Sequence, residues 1–145
     1  MTKIDWSKFK QGTMLVNVLA IIYDKDKDKV LIGRRENDPY LPDLTWSFPS
    51  GRPGYEDELE DYLKTSVRLK TGLDIEVDKI LFSKTYPEKR EFLSIYYLCQ
   101  NWRGEPKAGE NFREVKWVSP EKLEEYFTIS FHPVLKKMIL DLKYQ

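Results

Sequence analysis

Residues 46–73 read Trp46-Ser-Phe-Pro-Ser-Gly51-Arg-Pro-Gly-Tyr-Glu-Asp57-Glu-Leu-Glu-Asp-Tyr-Leu-Lys-Thr65-Ser-Val-Arg-Leu-Lys70-Thr-Gly72-Leu73. Trp46 and Phe48 are two apart, as on one face of a strand end. Pro49, Gly51, Pro53 and Gly54 then stop any regular element. A helix follows, because Leu59, Leu63 and Val67 recur every four residues and make one buried stripe. Glu56, Asp57, Glu58, Glu60 and Asp61 crowd its predicted first turns, where they complement the dipole, and Lys64, Arg68 and Lys70 suit the other end. Gly72 fits a left-handed helix cap.

On either side the chain reads as short strands. Residues 15–23 are apolar on both alternating faces except at Asn17, as in a central strand covered on both sides. The run Asp24-Lys-Asp-Lys-Asp-Lys29 poses the question of a Ca²⁺ loop, but its alternating lysines argue for a solvated hairpin turn. Residues 30–35 form the returning strand, and 36–45, with Pro39, Tyr40 and Pro42, a loop. Residues 75–84 are predicted as one strand. Residues 92–99 form another, with Phe92, Ser94, Tyr96 and Leu98 on one face and Leu93, Ile95, Tyr97 and Cys99 on the other. Residues 100–109 are turn-rich, and 115–118 form a last strand. A helix starts at Ser119-Pro120-Glu121, with serine as cap. Leu135, Met138, Ile139 and Leu142 mark a final amphipathic helix after Pro133. Residues 1–13 are expected to form an N-terminal arm laid on a single domain spanning 1–145.

The stretch 46–73 resembles the Nudix box, Gly-x5-Glu-x7-Arg-Glu-U-x-Glu-Glu-x-Gly-U, where U is apolar. Gly51 and Gly72 stand at its first and last glycines, and Val67 and Leu73 at its two U positions. Phe48-Pro49-Ser50-Gly51 looks like the family's Phe-Pro-Gly-Gly lead-in. The order of elements, and the segment from Arg103 to Leu123, also look like this family, so the resemblance covers roughly 14–140 by pattern. It implies an α/β fold, a Nudix-like mixed β-sheet sandwiched between α-helices.

The chemical half of the box differs. Asp57 stands at the first glutamate position and Thr65 at the arginine. Ser66, Leu69 and Lys70 stand where the family has three helical glutamates. Residues at i, i+3 and i+4 share a helix face, so three carboxylates there make an oxygen cage for Mg²⁺ or Mn²⁺. That ion neutralises a diphosphate and activates water. Here the face offers a hydroxyl, an isobutyl group and an ammonium, so local charge changes from minus three to plus one. No metal cofactor is expected on it. The alternative is an active pyrophosphohydrolase that holds Mg²⁺ or Mn²⁺ with the displaced carboxylates Asp57, Glu58 and Glu60. The competing reading of those three is a solvated, dipole-matched helix start.

Composition narrows the function classes. Lysine plus arginine and aspartate plus glutamate both number 24, so global charge argues for neither membrane nor extensive nonspecific RNA binding. A further alternative is a structural subunit of a larger assembly that contacts RNA through one loop, which the composition does not indicate. A single cysteine cannot form an internal disulfide, which makes a reducing cytoplasm the default location. No run reaches the ~20 apolar residues that span a bilayer.

The expected function is that of a catalytically degenerate Nudix protein that binds a nucleotide, a nucleoside-diphosphate derivative or a protein partner. Arg34, Arg35, Arg52 and Lys70 are the candidate ligand-binding residues. Guanidinium groups suit phosphate, and Lys70, set as in the family, projects into the metal position as a fixed cation. The plainer readings are a surface arginine pair at 34–35 and a lysine that merely complements the helix end. His132 lacks partners for a zinc site and reads as a helix-start residue. Cys99 reads as core. Tyr96 and Tyr97, on opposite faces of one strand, read as packing more readily than as base-stacking platforms.

Overall fold

The computed structural model describes Lys3, Asp5, Ser7 and residues 12–145, so the expected arm falls largely outside the described residues. The strands in chain order are β1 (Leu15–Asp24), β2 (Lys29–Arg34), β3 (Trp46–Ser47), β4 (Ser50–Gly51), β5 (Asp74–Glu76), β6 (Lys79–Thr85), β7 (Phe92–Cys99), β8 (Asn101–Arg103) and β9 (Glu114–Val118). The helices are α1 (Leu59–Thr71), α2 (Leu123–Tyr126) and α3 (Pro133–Leu140).

The apolar strand β1 is central. It pairs in parallel with β7 from Leu15↔Phe92 to Ile22↔Cys99, and β6 adds antiparallel to β7. On its other side β1 meets β2 at Tyr23↔Val30 and Asp24↔Lys29. The two strands then part. β3 fills the fork on the β2 side, at Gly33↔Ser47 and Arg34↔Trp46. β4 fills it on the β1 side, at Val18↔Gly51 and Leu19↔Ser50. The proline-glycine stretch before α1 therefore sits where the sheet opens.

Helices cover both faces. Leu63 and Val67 of α1 pack on Val18, Ala20, Ile22, Leu31, Tyr97 and Cys99. Leu123, Leu135, Ile139 and Leu142 pack on Leu19, Ile21, Tyr23, Ile32, Tyr96 and Leu98. The α/β sandwich follows from the sequence, because β1 and β7 carry apolar side chains on both faces and each face needs cover.

The α1 helix ends as expected, with Gly72 left-handed at φ 78° and its N–H bonded to the Arg68 carbonyl. Its start differs. Glu58 is extended, and Glu56 and Asp57 lie in the preceding turn. The Asp57 carboxylate accepts from the Gly54 N–H at 2.7 Å, which fixes that turn in place of a helical one. The strand expected over 75–84 is two strands. The break at Val77–Asp78 lets β5 leave the main sheet and pair with β8 in the segment expected to be loop. Ser119 precedes a 3₁₀ turn, Pro120–Lys122, and makes no side-chain cap. Among the described residues no helix is long and apolar enough to cross a membrane.

Candidate ligand-binding cleft

The fork between β1 and β2 opens into a cleft with an apolar and a cationic end. Arg35 and Arg52 line both, and Asn17 and Ser50 join the apolar end to the face of α1. The apolar end is a narrow slot, half open to solvent. Trp46, Phe48, Tyr86, Phe92, Phe127 and Phe131 wall it. Phe127 meets Phe48 and Phe131 edge to face at 5.1 and 5.2 Å, and Trp46 meets Tyr126 at 5.2 Å. Edge-to-face contacts of this kind hold flat walls in place.

Asp38 organises the cationic end. Its side chain is fully buried, and Oδ1 accepts from the N–H groups of Tyr40 and Leu41 at 2.9 and 2.8 Å. Oδ2 lies 3.0 Å from Arg35 Nη2 and 3.9 Å from Arg52 Nη2. The Arg35 contact is an ion pair whose angle does not make a hydrogen bond, so Oδ2 keeps hydrogen-bonding capacity to spare. The Arg52 guanidinium also lies over the rings of Tyr40 and Phe92, 4.7 and 5.2 Å from their centroids. Burial, opposed by Asp38, lowers the pKa of Arg35.

Lys70 extends from α1 back across the cleft, and its ammonium donates to the Ser50 backbone carbonyl. Burial, with Arg35 and Arg52 nearby, lowers its pKa to about 8. Ser66 is buried and Leu69 half exposed, and both line the same portion with Tyr62, Glu110 and Asn111. Gly51 is needed at the contact with α1. A Cβ on it would lie 2.5 Å from the Tyr62 ring and 2.6 Å from Ser66 Oγ.

The donor set on α1 does not fit a divalent cation. Such ions take six or more oxygens, several of them carboxylate, and this face supplies one hydroxyl beside an ammonium. Among the described residues no group of three or more His, Cys, Asp or Glu side chains is placed to hold a metal. Asp57 is committed to its turn, and none of Asp57, Glu58 and Glu60 lines the cleft. Glu60 lies instead near Tyr97 and Cys99. Burial first, then Asp78 and Glu60, pushes the Cys99 thiol up to about 12.

Of the four candidate cations, Arg35, Arg52 and Lys70 come together and Arg34 does not. Strand alternation turns Arg34 away, into a surface network with Glu36 and Glu114 at 3.1 and 3.3 Å. His132 caps α3, its Nδ1 accepting from Val134 N–H at 3.1 Å. Tyr96 and Tyr97 are both buried, Tyr96 forming part of the cleft floor.

Sequence reasoning missed Asp38, Glu110, Asn111 and Lys84. Asn17 carried a signal as the one polar residue in an apolar strand. The register aligns Asn17 with Ser94 and Ser94 with Lys84, a polar row across three strands. Among the described residues, Ser47 Oγ, Ser94 Oγ, Lys84 Nζ and Arg52 Nε are buried and find no hydrogen-bond partner. Lys84 Nζ lies 3.8 Å from the centre of the Tyr86 ring, and burial lowers its pKa to about 8.

A NUDIX domain model matches residues 13–142. The chain belongs to this family. Solved structures share the fold at low identity. The MutT protein from Methanosarcina mazei Go1 is 20% identical, with a TM-score of 0.73, covering 90% of this chain and 94% of that one. An ADP-ribose pyrophosphatase from Streptococcus suis 89-1591 is 18% identical, with a TM-score of 0.69 and coverage of 92% and 94%. The E. coli ORF135 protein is 20% identical, with a TM-score of 0.67 and coverage of 90% and 89%. Among curated proteins none matches the sequence.

Proposed function

We propose that this protein binds a nucleotide or a nucleoside-diphosphate derivative and does not hydrolyse it efficiently. One observation carries the reading: an aromatic slot runs into a cluster of three cations, Arg35, Arg52 and Lys70. A planar ring system suits the slot, and a phosphate chain suits guanidinium and ammonium donors. The ADP-ribose pyrophosphatase of the same fold makes ADP-ribose a rational first probe. Against turnover stands the chemistry of α1, which supplies Ser66, Leu69 and Lys70 where three carboxylates would hold the ion that activates water.

The test pairs binding with turnover. Calorimetry with ADP-ribose and ATP should show saturable binding, and a phosphate-release screen with Mg²⁺ and Mn²⁺ should show no turnover above buffer. Robust release with either metal would overturn the degenerate reading in favour of the hydrolase alternative. Failure to bind any nucleotide would leave the protein-partner reading in its place.

A further inference from the structure

We infer that Lys70 is a resident cation, so that this cleft binds the diphosphate in its metal-free form and Mg²⁺ competes with the protein for it. The inference rests on the nucleotide-binding reading and specifies the form of the ligand. The Lys70 ammonium sits on the Ser50 backbone carbonyl, on the face where the box would place a metal. A backbone carbonyl is the kind of hard oxygen that a divalent ion takes as ligand, and here an ammonium takes it.

Charge points the same way. Arg35, Arg52 and Lys70 share the cleft wall around one buried carboxylate, Asp38, with Glu110 exposed at the rim. The unsatisfied excess is positive, and it suits a dianionic diphosphate. A divalent cation brought in with the ligand would meet a net positive charge, three cations against the carboxylates of Asp38 and Glu110, which disfavours it. The Arg52 side chain keeps 35% of its surface exposed and Arg35 12%, so guanidinium donors on the cleft wall remain open to an anionic oxygen. Arg52 is held by two aromatic rings and Arg35 by Asp38, so the donors are fixed before the ligand arrives.

The test uses the 145-residue chain with ADP-ribose and inorganic pyrophosphate as probes, titrated in EDTA and again in excess Mg²⁺. Binding in EDTA that weakens several-fold in Mg²⁺ supports the inference. Lys70→Met, which keeps the length of the chain and removes the charge, should weaken binding in EDTA roughly ten- to a hundredfold. Lys70→Arg should lose less than Lys70→Met. Binding that needs Mg²⁺ overturns the inference and leaves the nucleotide reading intact. No binding of either probe in either buffer overturns both. The comparison of buffers needs no variant, so it stands even if a substitution at Lys70 does not fold.

Discussion

The Lys70 ammonium and the Ser50 backbone carbonyl, twenty residues apart in sequence, are hydrogen-bonded across the mouth of the cleft. The bond ties α1 to the strand that fills the fork between β1 and β2. Burial, Arg35 and Arg52 hold the pKa of Lys70 down to about 8, while Glu110 and Asp38 act in the opposite direction. Binding an anion favours protonated lysine. Affinity for ADP-ribose should therefore be level below pH 8 and fall above it, by up to about tenfold per pH unit. Calorimetry from pH 6.5 to 9.5 checks this. A profile that stays level through pH 9, or one that Lys70→Met leaves unchanged, would contradict it.

The same shift predicts a stability effect of definite sign. The folded pKa of Lys70 lies below its ordinary value of 10.5, so between the two the unfolded chain binds more protons. Lys70 thus costs stability below pH 8, and the cost fades as pH rises toward 10.5. Lys70→Met should raise stability at pH 7 by roughly 1–2 kcal/mol, with a gain that shrinks in alkaline buffer. Urea unfolding at pH 7 and pH 10 measures both, and a loss at pH 7 would show that the Ser50 bond outweighs the burial of charge.

Asp38 should be the costliest side chain in the cleft to remove. It is fully buried, accepts from two backbone N–H groups and faces two guanidinium groups. Asp38→Ala leaves Arg35 charged and unpaired, at a cost of roughly 3–5 kcal/mol. Asp38→Asn keeps an acceptor and should cost less. Chemical denaturation of the two variants gives the order, and equal losses would show that the two backbone hydrogen bonds to Oδ1 contribute little beside the charge that both variants remove.

Gly109 closes the C-terminal end of α1. The N–H groups of Lys107, Gly109 and Glu110 bond to the carbonyls of Thr71, Lys70 and Leu69, which a helix end otherwise leaves unsatisfied. A Cβ on Gly109 would collide with the Leu69 carbonyl oxygen, whereas one on Gly54 would meet only Asp57 Oδ2, at 3.5 Å. Gly109→Ala should cost about 1–3 kcal/mol and Gly54→Ala much less. Thermal unfolding of the pair would contradict this if Gly54→Ala proved the more damaging.

The parts of this fold set by local chemistry were legible in the sequence. The leucine stripe and Gly72 locate α1 to within its first turn, and two-faced apolarity marks β1 and β7 as central. The split of 75–84 was not legible, because it depends on β8, some 25 residues downstream, as a partner for β5. The Arg34–Arg35 pair could not be resolved for a similar reason. Which arginine enters the cleft depends on strand register and on Asp38, a loop residue with no motif of its own. Of the box positions on α1, the small polar Ser66 is buried, tucked beneath Gly51, while the apolar Leu69 is half exposed.

That difference in burial bears on the most direct test of the central claim, which is that α1 has exchanged a metal cage for a fixed cation. The measurement is a Mn²⁺ titration, by calorimetry, of the parent and of the triple variant Ser66→Glu, Leu69→Glu, Lys70→Glu. The half-exposed Leu69 position accepts a carboxylate readily. Ser66, close against Gly51, is the tight position, so folding of the variant is verified first by its unfolding transition. The parent should show no Mn²⁺ site tighter than roughly millimolar, given its donors, and the folded triple variant should acquire one. Micromolar Mn²⁺ binding by the parent, or a folded triple variant that binds no better than the parent, would contradict the account.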